Sequence, residues 1–264
     1  MEYSLNRNMI LNMKKITKKI INKFLGYFNL KLIKNSESKN QDFPIEANQD
    51  IKKFIKLSTQ FSMTGKKRMY ALFQAIENSR NLEGDYVECG VWRGGNILLY
   101  KLLADYYNLK KTIYAFDTFE GMTAPENIDV NYQGHTAQKS MGEASKNENE
   151  MNIHCYSSID MVKKNILKHS NLNNIKFIKG PVEETLLNEK NLPNKISVLR
   201  LDTDFYSSTK IELEILYPKL ISGGVLIIDD YGYWRGARKA VDEYFNQKKW
   251  LHIVDQTCRY LIKD

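Results

Sequence analysis

The segment YVECGVWRGGN, residues 86–96, combines a short apolar run, a glycine-rich turn and the beginning of a helix. The run YVECG at 86–90 predicts a buried strand, because it is apolar and ends in glycine. Helical periodicity follows over residues 95–107. The segment therefore predicts one strand–turn–helix unit.

The alternation of strand and helix continues on both sides of this unit. The pattern predicts further helices at 49–60, 66–80, 157–168, 207–220 and 235–247. It predicts further strands at TIYAF (112–116), IKFI (175–178), ISVLRL (196–201), GVLIID (224–229), LHIVD (251–255) and CRYLI (258–262). Strands that alternate with helices of this length form right-handed βαβ units, so we expect an α/β fold with a mostly parallel sheet.

The turn after the first strand is a candidate ligand site, because ligands of such sheets bind beyond the carboxyl ends of the strands. Its glycines would let a ligand approach the backbone, although a tight turn without a ligand would also explain them. The spacing is not G-x-G-x-x-G, and Glu88 would repel a pyrophosphate. Glu88 could instead pair with the ammonium group of an amino-acid moiety.

Asp117 follows the second strand, 27 residues after Gly90. A carboxylate in this place can accept hydrogen bonds from both hydroxyls of a ribose. The chain has no G-x-x-x-x-G-K-[ST] phosphate loop. Asp117 and the glycine turn therefore favour S-adenosylmethionine over a nicotinamide cofactor or a nucleoside triphosphate.

Four carboxylates follow two other strands that we expect to be neighbours: Asp202, Asp204, Asp229 and Asp230. Left without a counter-charge, such a cluster is unfavourable through repulsion and desolvation. A divalent cation removes that cost, and carboxylate oxygens suit Mg²⁺, with Mn²⁺ or Ca²⁺ as alternatives. Helix capping is the competing explanation, and we assign it to one member, Asp204.

Basic charge is concentrated at the start of the chain, where residues 1–34 account for +7 of the formal +8. The remainder is nearly neutral and has no stretch in which basic and aromatic residues are interleaved, so we expect no nucleic-acid partner. No apolar run is long enough to span a membrane. The three cysteines are scattered without C-x-x-C spacing, which indicates a reducing, cytoplasmic compartment.

Apolar residues recur every three or four positions from Met9 to Tyr27, which predicts a basic amphipathic helix over 9–28. It could pack on the body or on a second subunit, lie on the anionic inner face of a membrane, or act as a nucleic-acid arm. We favour self-association. The polar stretch 35–48 predicts a linker, so we expect a helix and linker at 1–48 and a globular catalytic domain at 49–264.

Four motifs in this order resemble the TylF/MycF family: GDYVECGVWRGGN (84–96), YAFDTFEGM (114–122), LRLDTDFYSST (199–209) and SGGVLIIDDYG (222–232). Its members are macrocin-type O-methyltransferases that use S-adenosylmethionine and Mg²⁺ to methylate sugar hydroxyls of natural products. The resemblance implies a class I methyltransferase (Rossmann-like) fold. Such a fold has a seven-stranded, mostly parallel sheet flanked by helices, with the last strand antiparallel.

The resemblance also implies which residues bind the cofactor. Three residues of the first turn would hold its methionine part: Glu88, Gly90 and Gly94. Asp117 would take its ribose. Met63 and Thr64 match a further stretch of the family that contacts the cofactor.

The metal ligands and the catalytic base follow from the same resemblance. Asp202, Asp229 and Asp230 match the metal carboxylates of the family, which selects Asp202 over Asp204. The long polar segment 118–152 matches the family's lid. His135, in NYQGHTAQ of this lid, corresponds to a histidine proposed as the general base.

These residues together predict an O-methyltransferase that acts on a sugar or a glycosylated small molecule. Methyl transfer needs an acceptor oxygen held near the methyl group and a group that removes its proton. A metal bound to two adjacent hydroxyls lowers their pKa, so we expect a vicinal diol, with Asp202 and His135 as the catalytic residues. The alternatives are a catechol-like phenol as acceptor, or a noncatalytic partner that binds membrane or protein through residues 9–28.

Overall fold

The computed structural model describes residues 17, 21–23, 26, 43–246 and 249–264. The first five of these are helical, and the rest of the predicted helix and most of the predicted linker lie outside the described residues. The body belongs to a compact unit that spans Asp42–Asp264. None of the described helices is long and apolar enough to cross a membrane.

The strands of the described body form one sheet. In chain order they are β1 (Asp85–Cys89), β2 (Ile113–Asp117), β3 (Ile175–Lys179), β4 (Ile196–Leu201), β5 (Leu220–Ile228), β6 (His252–Ile253) and β7 (Arg259–Ile262). Their order in the sheet is β3-β2-β1-β4-β5-β7-β6. The first five strands are parallel, and β7 runs antiparallel to both β5 and β6. The seven-stranded, mostly parallel fold expected from the sequence is confirmed.

Helices cover both faces of this sheet. They are α1 (Gln49–Ser58), α2 (Lys66–Ser79), α3 (Gly95–Tyr106), α4 (Ala137–Glu143), α5 (Ile159–Leu167), α6 (Val182–Thr185), α7 (Tyr206–Leu216) and α8 (Arg235–Tyr244). Helix α4 lies inside the polar segment 118–152, where no helix is expected from the sequence. Its seven residues bury one side chain, Ala137, so they carry no apolar stripe that could reveal the helix.

Alternate residues of the central strands belong to two separate cores. Tyr86 of β1 and Val198 of β4 face the core that includes α1, α2, α3 and α5. Val87 and Leu199, one residue further along, face the core under α6, α7 and α8. Since successive side chains of a strand point to opposite faces, the apolar runs seen in the sequence are buried on both sides.

The order of the strands places a ligand crevice at the centre of the sheet. Chain connections run outward from β1 to β2 and β3 on one side, and through β4 and β5 on the other. Such a switch point opens a crevice beyond the carboxyl ends of the two strands beside it. The turns after β1 and β4 are therefore the expected walls of the site.

Candidate active site

A cavity of about 380 Å³ occupies this crevice. Seven of the residues selected from the sequence line it: Met63, Thr64, Gly90, Asp117, Asp202, Asp229 and Asp230. Three others are outside the described lining, namely Glu88, Gly94 and His135. The structure thus brings four of the six predicted cofactor residues and the three predicted metal residues to one cavity.

Gly90 allows the turns after β1 and β4 to touch. Its φ is +87°, and a Cβ at this position would lie 2.7 Å from the carbonyl carbon of Asp202. Any larger residue would push the two turns apart. Gly94 has a different reason, because its φ is +89° and a Cβ would meet the Val162 side chain at 2.8 Å. Gly94 therefore serves the packing of α3 against α5.

Asp117 closes the same turn from β2. Its Oδ2 accepts the backbone N–H groups of Val91 and Trp92 at 2.6 and 3.0 Å, and its Oδ1 accepts the N–H of Phe119 at 2.7 Å. Burial raises the pKa of Asp117, and these backbone hydrogen bonds oppose the rise. Oδ2 already accepts two of these bonds, whereas Oδ1 accepts one backbone N–H and a long bond from the Thr118 hydroxyl at 3.4 Å, so a ligand hydroxyl would be accepted at Oδ1 in place of Thr118.

Glu88 points beneath the cavity rather than into it. Its Oε1 accepts hydrogen bonds from Arg200 at 2.6 Å and from Asn96 at 2.9 Å, and both Glu88 and Arg200 are 1% exposed. Burial raises the pKa of Glu88 to about 7, although the Arg200 charge opposes the rise. In this structure Glu88 is a partner of Arg200.

Arg200 links the floor of the cavity to the strands. Besides Glu88, its guanidinium donates to Asp202 at 2.7 Å, to Asp229 at 2.5 Å and to the Thr64 hydroxyl at 3.0 Å. Arg200 is not among the residues selected from the sequence. A signal was available, because Arg200 is the one charge in the apolar strand ISVLRL, and a charge in a strand buried on both faces needs a partner.

Arg68 is a second cation of the site that is not among the residues selected from the sequence. It lines the cavity from α2 and donates to Asp229, to Asp255 at 2.7 Å and to Thr257. Asp229 therefore pairs with Arg200 through Oδ1 and with Arg68 through Oδ2. An arginine within an amphipathic helix usually faces solvent, so the helical pattern gave no sign of this role.

Three other carboxylates face one another and form the carboxylate cluster of Asp202, Asp204 and Asp230. They are half-buried, and one oxygen of each lies within 4.8 Å of the others. Removal from water raises the pKa of all three, that of Asp204 to about 7, and their mutual repulsion adds to the rise. The structure places Asp204 in this cluster, where the resemblance has Asp229.

Asp204 does not cap a helix, contrary to our expectation from the sequence. Helix α7 begins after Phe205. In the described part of the chain the N–H of Tyr206, its first residue, donates to Asp129 Oδ1 at 2.9 Å. Asp204 itself adopts a φ of +70°, which is uncommon for a residue with a side chain. Backbone strain of this kind occurs at functional sites, and Asp204 belongs to the carboxylate cluster.

Asp129 is buried and fastens the 118–152 segment to the rest of the site. Its second oxygen accepts the N–H of Glu126 at 2.7 Å. The same segment bonds to the start of α8, where the N–H of Arg235 donates to Val130 at 2.9 Å. His135 lies at the tip of this region with an exposed side chain, and its backbone N–H donates to Asn131 Oδ1 at 3.0 Å.

Aromatic and thioether side chains form the wall above the carboxylates. Tyr233 and Trp234 line the cavity and pack edge to face at 5.1 Å between ring centroids. Tyr132, which is 60% exposed, packs against Tyr233 at 5.4 Å. Met63, 44% exposed, is also in the lining. The lining thus combines an acidic floor (Asp202, Asp204, Asp229 and Asp230) with an apolar rim (Met63, Tyr233 and Trp234).

Known proteins share both the sequence pattern and the fold. The family described as Macrocin-O-methyltransferase (TylF) matches residues 8–263. Demethyldecarbamoylnovobiocin O-methyltransferase of Streptomyces niveus is 32% identical over 188 residues, which cover 69% of this chain and 67% of that protein. The 8-demethyl-8-(2,3-dimethoxy-alpha-L-rhamnosyl)-tetracenomycin-C 4'-O-methyltransferase of Streptomyces olivaceus is 32% identical over 196 residues, with 71% and 68% covered. The solved structure of the O-methyltransferase NovP superposes with a TM-score of 0.64 at 30% identity and covers 77% of this chain and 82% of NovP.

Proposed function

Since this chain belongs to the TylF family of macrocin O-methyltransferases and is an enzyme that transfers methyl to oxygen, we propose that it methylates a hydroxyl of a sugar or a glycosylated small molecule. The methyl donor is S-adenosylmethionine and the metal is Mg²⁺. One observation carries the proposal: a single cavity is lined both by Gly90 and Asp117 and by the carboxylate cluster. A methyl donor and a metal-bound acceptor would meet in it.

The cofactor would occupy the part of the cavity beyond the carboxyl ends of β1 and β2. Gly90, Met63 and Thr64 would line the space for its methionine part, and Asp117 would accept from the ribose hydroxyls. Glu88 and Gly94 would act indirectly, through Arg200 and through the packing of α3.

The carboxylate cluster fits a hard divalent ion. Its oxygens converge within 4.8 Å, and of the three only Asp202 shares an arginine in the described structure. Asp202 and Asp230 belong both to this cluster and to the set that the resemblance predicts, with Asp204 or Asp229 as the third ligand. When bound, the ion supplies Lewis acidity that lowers the pKa of a chelated vicinal diol.

The acceptor would enter over the apolar rim. Tyr233 and Met63 offer apolar surface to a sugar ring or its aglycone, while the acidic floor takes the hydroxyls. A rhamnosyl group is named in the relative from Streptomyces olivaceus, which supports a sugar acceptor over a catechol.

His135 remains our proposal for the group that takes the proton from the acceptor. Its side chain is exposed in this structure, so this role requires the 118–152 segment to turn His135 into the cavity. Replacement by alanine tests it. A His135→Ala enzyme with unchanged kcat would remove His135 from the mechanism and leave a carboxylate such as Asp202 or solvent as the acceptor.

Transfer of a labelled methyl group tests the proposed reaction. Wild-type protein with methyl-labelled S-adenosylmethionine and Mg²⁺ is assayed against a panel of glycosides with vicinal diols and a panel of catechols. We expect label in a glycoside, loss of transfer in chelator and loss in Asp230→Asn. Asp160→Asn, which removes an exposed acid on α5, is the control and should stay active. Label only in catechols favours the alternative acceptor, and full transfer in chelator rejects the metal.

We also propose that residues 9–28 mediate self-association, with attachment to an anionic membrane as the alternative. The support is the basic amphipathic pattern of the sequence. Light scattering measures the mass of the full chain, and sedimentation with anionic liposomes measures attachment. A variant with Lys14, Lys15, Lys18 and Lys19 changed to Gln should lose only membrane binding.

A further inference from the structure

Arg68 binds three different partners with one guanidinium group. Its Nη1 donates to Asp229 Oδ2, its Nε to Asp255 Oδ2 at 2.7 Å, and its Nη2 to the Thr257 hydroxyl. These partners lie directly after β5 and on the turn between β6 and β7. Arg68 thus ties helix α2 to the acidic edge of the sheet.

The turn that carries Asp255 is itself well held. Asp255 Oδ1 accepts the backbone N–H groups of Thr257 at 3.0 Å and Cys258 at 2.9 Å, and Cys258 is fully buried. Two of the donors of Arg68 are therefore fixed by a rigid turn. The planar guanidinium then directs its third nitrogen, Nη1, toward Asp229.

Both carboxylate oxygens of Asp229 accept hydrogen bonds from arginines in this structure. It is 4% exposed, and its other oxygen, Oδ1, accepts from Arg200 at 2.5 Å. Its neighbour Asp230 belongs instead to the carboxylate cluster. Two adjacent carboxylates at the end of one strand thus have different partners, arginines for Asp229 and acids for Asp230.

We infer that Arg68 is a resident counter-cation which occupies Asp229 and weakens divalent-ion binding at this site. The inference rests on the proposed metal site and concerns its regulation. For Asp229 to ligate an ion, the contact with Arg68 must first be exchanged. The fixed positive charge of Arg68 also repels a cation at the neighbouring cluster. Both effects predict that a protein without this guanidinium binds the ion more tightly.

Titration with Mn²⁺ alone tests the inference, without cofactor or acceptor. Electron paramagnetic resonance of free Mn²⁺ gives the dissociation constant for the full-length protein. We expect Arg68→Gln to bind Mn²⁺ on the order of tenfold more tightly than wild type. Arg68→Lys keeps the charge but cannot bridge the three partners, so its affinity should rise by a smaller factor.

Lys67→Gln is the matched control. It removes the same charge from the same helix, one residue away, where the side chain is exposed. Solvent and salt screen that charge, so Mn²⁺ affinity should stay within about twofold of wild type. Should Arg68→Gln fail to fold by circular dichroism, Arg68→Lys carries the test.

The outcomes separate this inference from the proposed function. If wild type binds Mn²⁺ and both Arg68 variants bind it with unchanged or weaker affinity, the inference is overturned and the metal site stands. Weaker binding would mean that Arg68 orients Asp229 as a ligand. Failure of wild type and of both variants to bind Mn²⁺ rejects the metal site and the inference with it.

Discussion

Glu88 and Arg200 face each other in register on β1 and β4, and a 2.6 Å ion pair joins them where each is 1% exposed. Arg200 also donates to Asp202, which follows β4, and to Asp229, which follows β5. One buried cation thus contacts acids from three neighbouring strands of the sheet. A buried pair adds little net stability compared with apolar residues. Loss of either partner, however, leaves the other charge uncompensated.

Replacement of Arg200 by methionine should be strongly destabilising. Three carboxylates lose their buried counter-charge, so we expect the free energy of unfolding to fall by about 3–5 kcal/mol. Glu88→Gln should lose less, because a neutral amide oxygen can still accept from Arg200 and Asn96. Urea denaturation measures both. An Arg200→Met protein within about 1 kcal/mol of wild type would contradict the role of Arg200, since that is the size of one ordinary hydrogen bond.

Gly90→Ala should disrupt the site, and Gly134→Ala is its matched control. Both glycines have φ near +90°, at +87° and +90°, but a Cβ at 134 meets no atom within 4 Å. Gly134→Ala should therefore lose only about 1–2 kcal/mol from backbone strain. Gly90→Ala should lose clearly more and should weaken S-adenosylhomocysteine binding, because the turn carrying Asp202 must move. Thermal melts compare the stabilities of the two variants, and calorimetric titration compares their affinities for S-adenosylhomocysteine. Equal losses of stability would reject the close contact with Asp202 as the cause.

Asp129→Ala should release the 118–152 segment from α7. The substitution removes the acceptors for the N–H groups of Tyr206 and Glu126. Loss of a comparable helix cap lowers stability by about 1–2 kcal/mol. Hydrogen exchange should become faster at residues 126–137 while the central strands stay protected. Unchanged exchange in this segment would show that Asp129 does not hold it.

Glu212→Gln should remove a pH dependence of stability. Glu212 is fully buried on α7, accepts from the Thr203 hydroxyl at 2.9 Å, and has a pKa raised well above the usual value by burial. An acid with a raised folded-state pKa stabilises the fold at low pH, and this contribution is lost as pH rises toward the folded pKa. Glu212→Gln should therefore melt above wild type at pH 8 and close to it at pH 4. If the melting temperatures of the two proteins change in parallel with pH across this range, Glu212 is not the cause of the pH dependence.

The succession of strands and helices along the chain and the acidic strand ends were accessible from the sequence, because both depend on local patterns. A short apolar run predicts a buried strand, and parallel strands bring Asp117, Asp202 and Asp230 to one edge. The fold expected on this basis is the one observed.

Partners of the charged residues were not accessible in the same way. Arg68 meets Asp229 from 161 positions away, and Asp129 meets Tyr206 from 77 positions away. No local pattern reports such contacts, which depend on how helices and loops pack. The local pattern therefore favours capping by Asp204, whereas the N–H of Tyr206 in the first turn of that helix donates to the distant Asp129.

Anomalous diffraction from crystals soaked with Mn²⁺ and S-adenosylhomocysteine tests the central claim most directly. We expect one Mn²⁺ peak bonded to carboxylate oxygens of Asp202 and Asp230, beside the sulfur of a cofactor whose ribose lies at Asp117. Clear density for the cofactor with no ion between these two carboxylates would contradict the account.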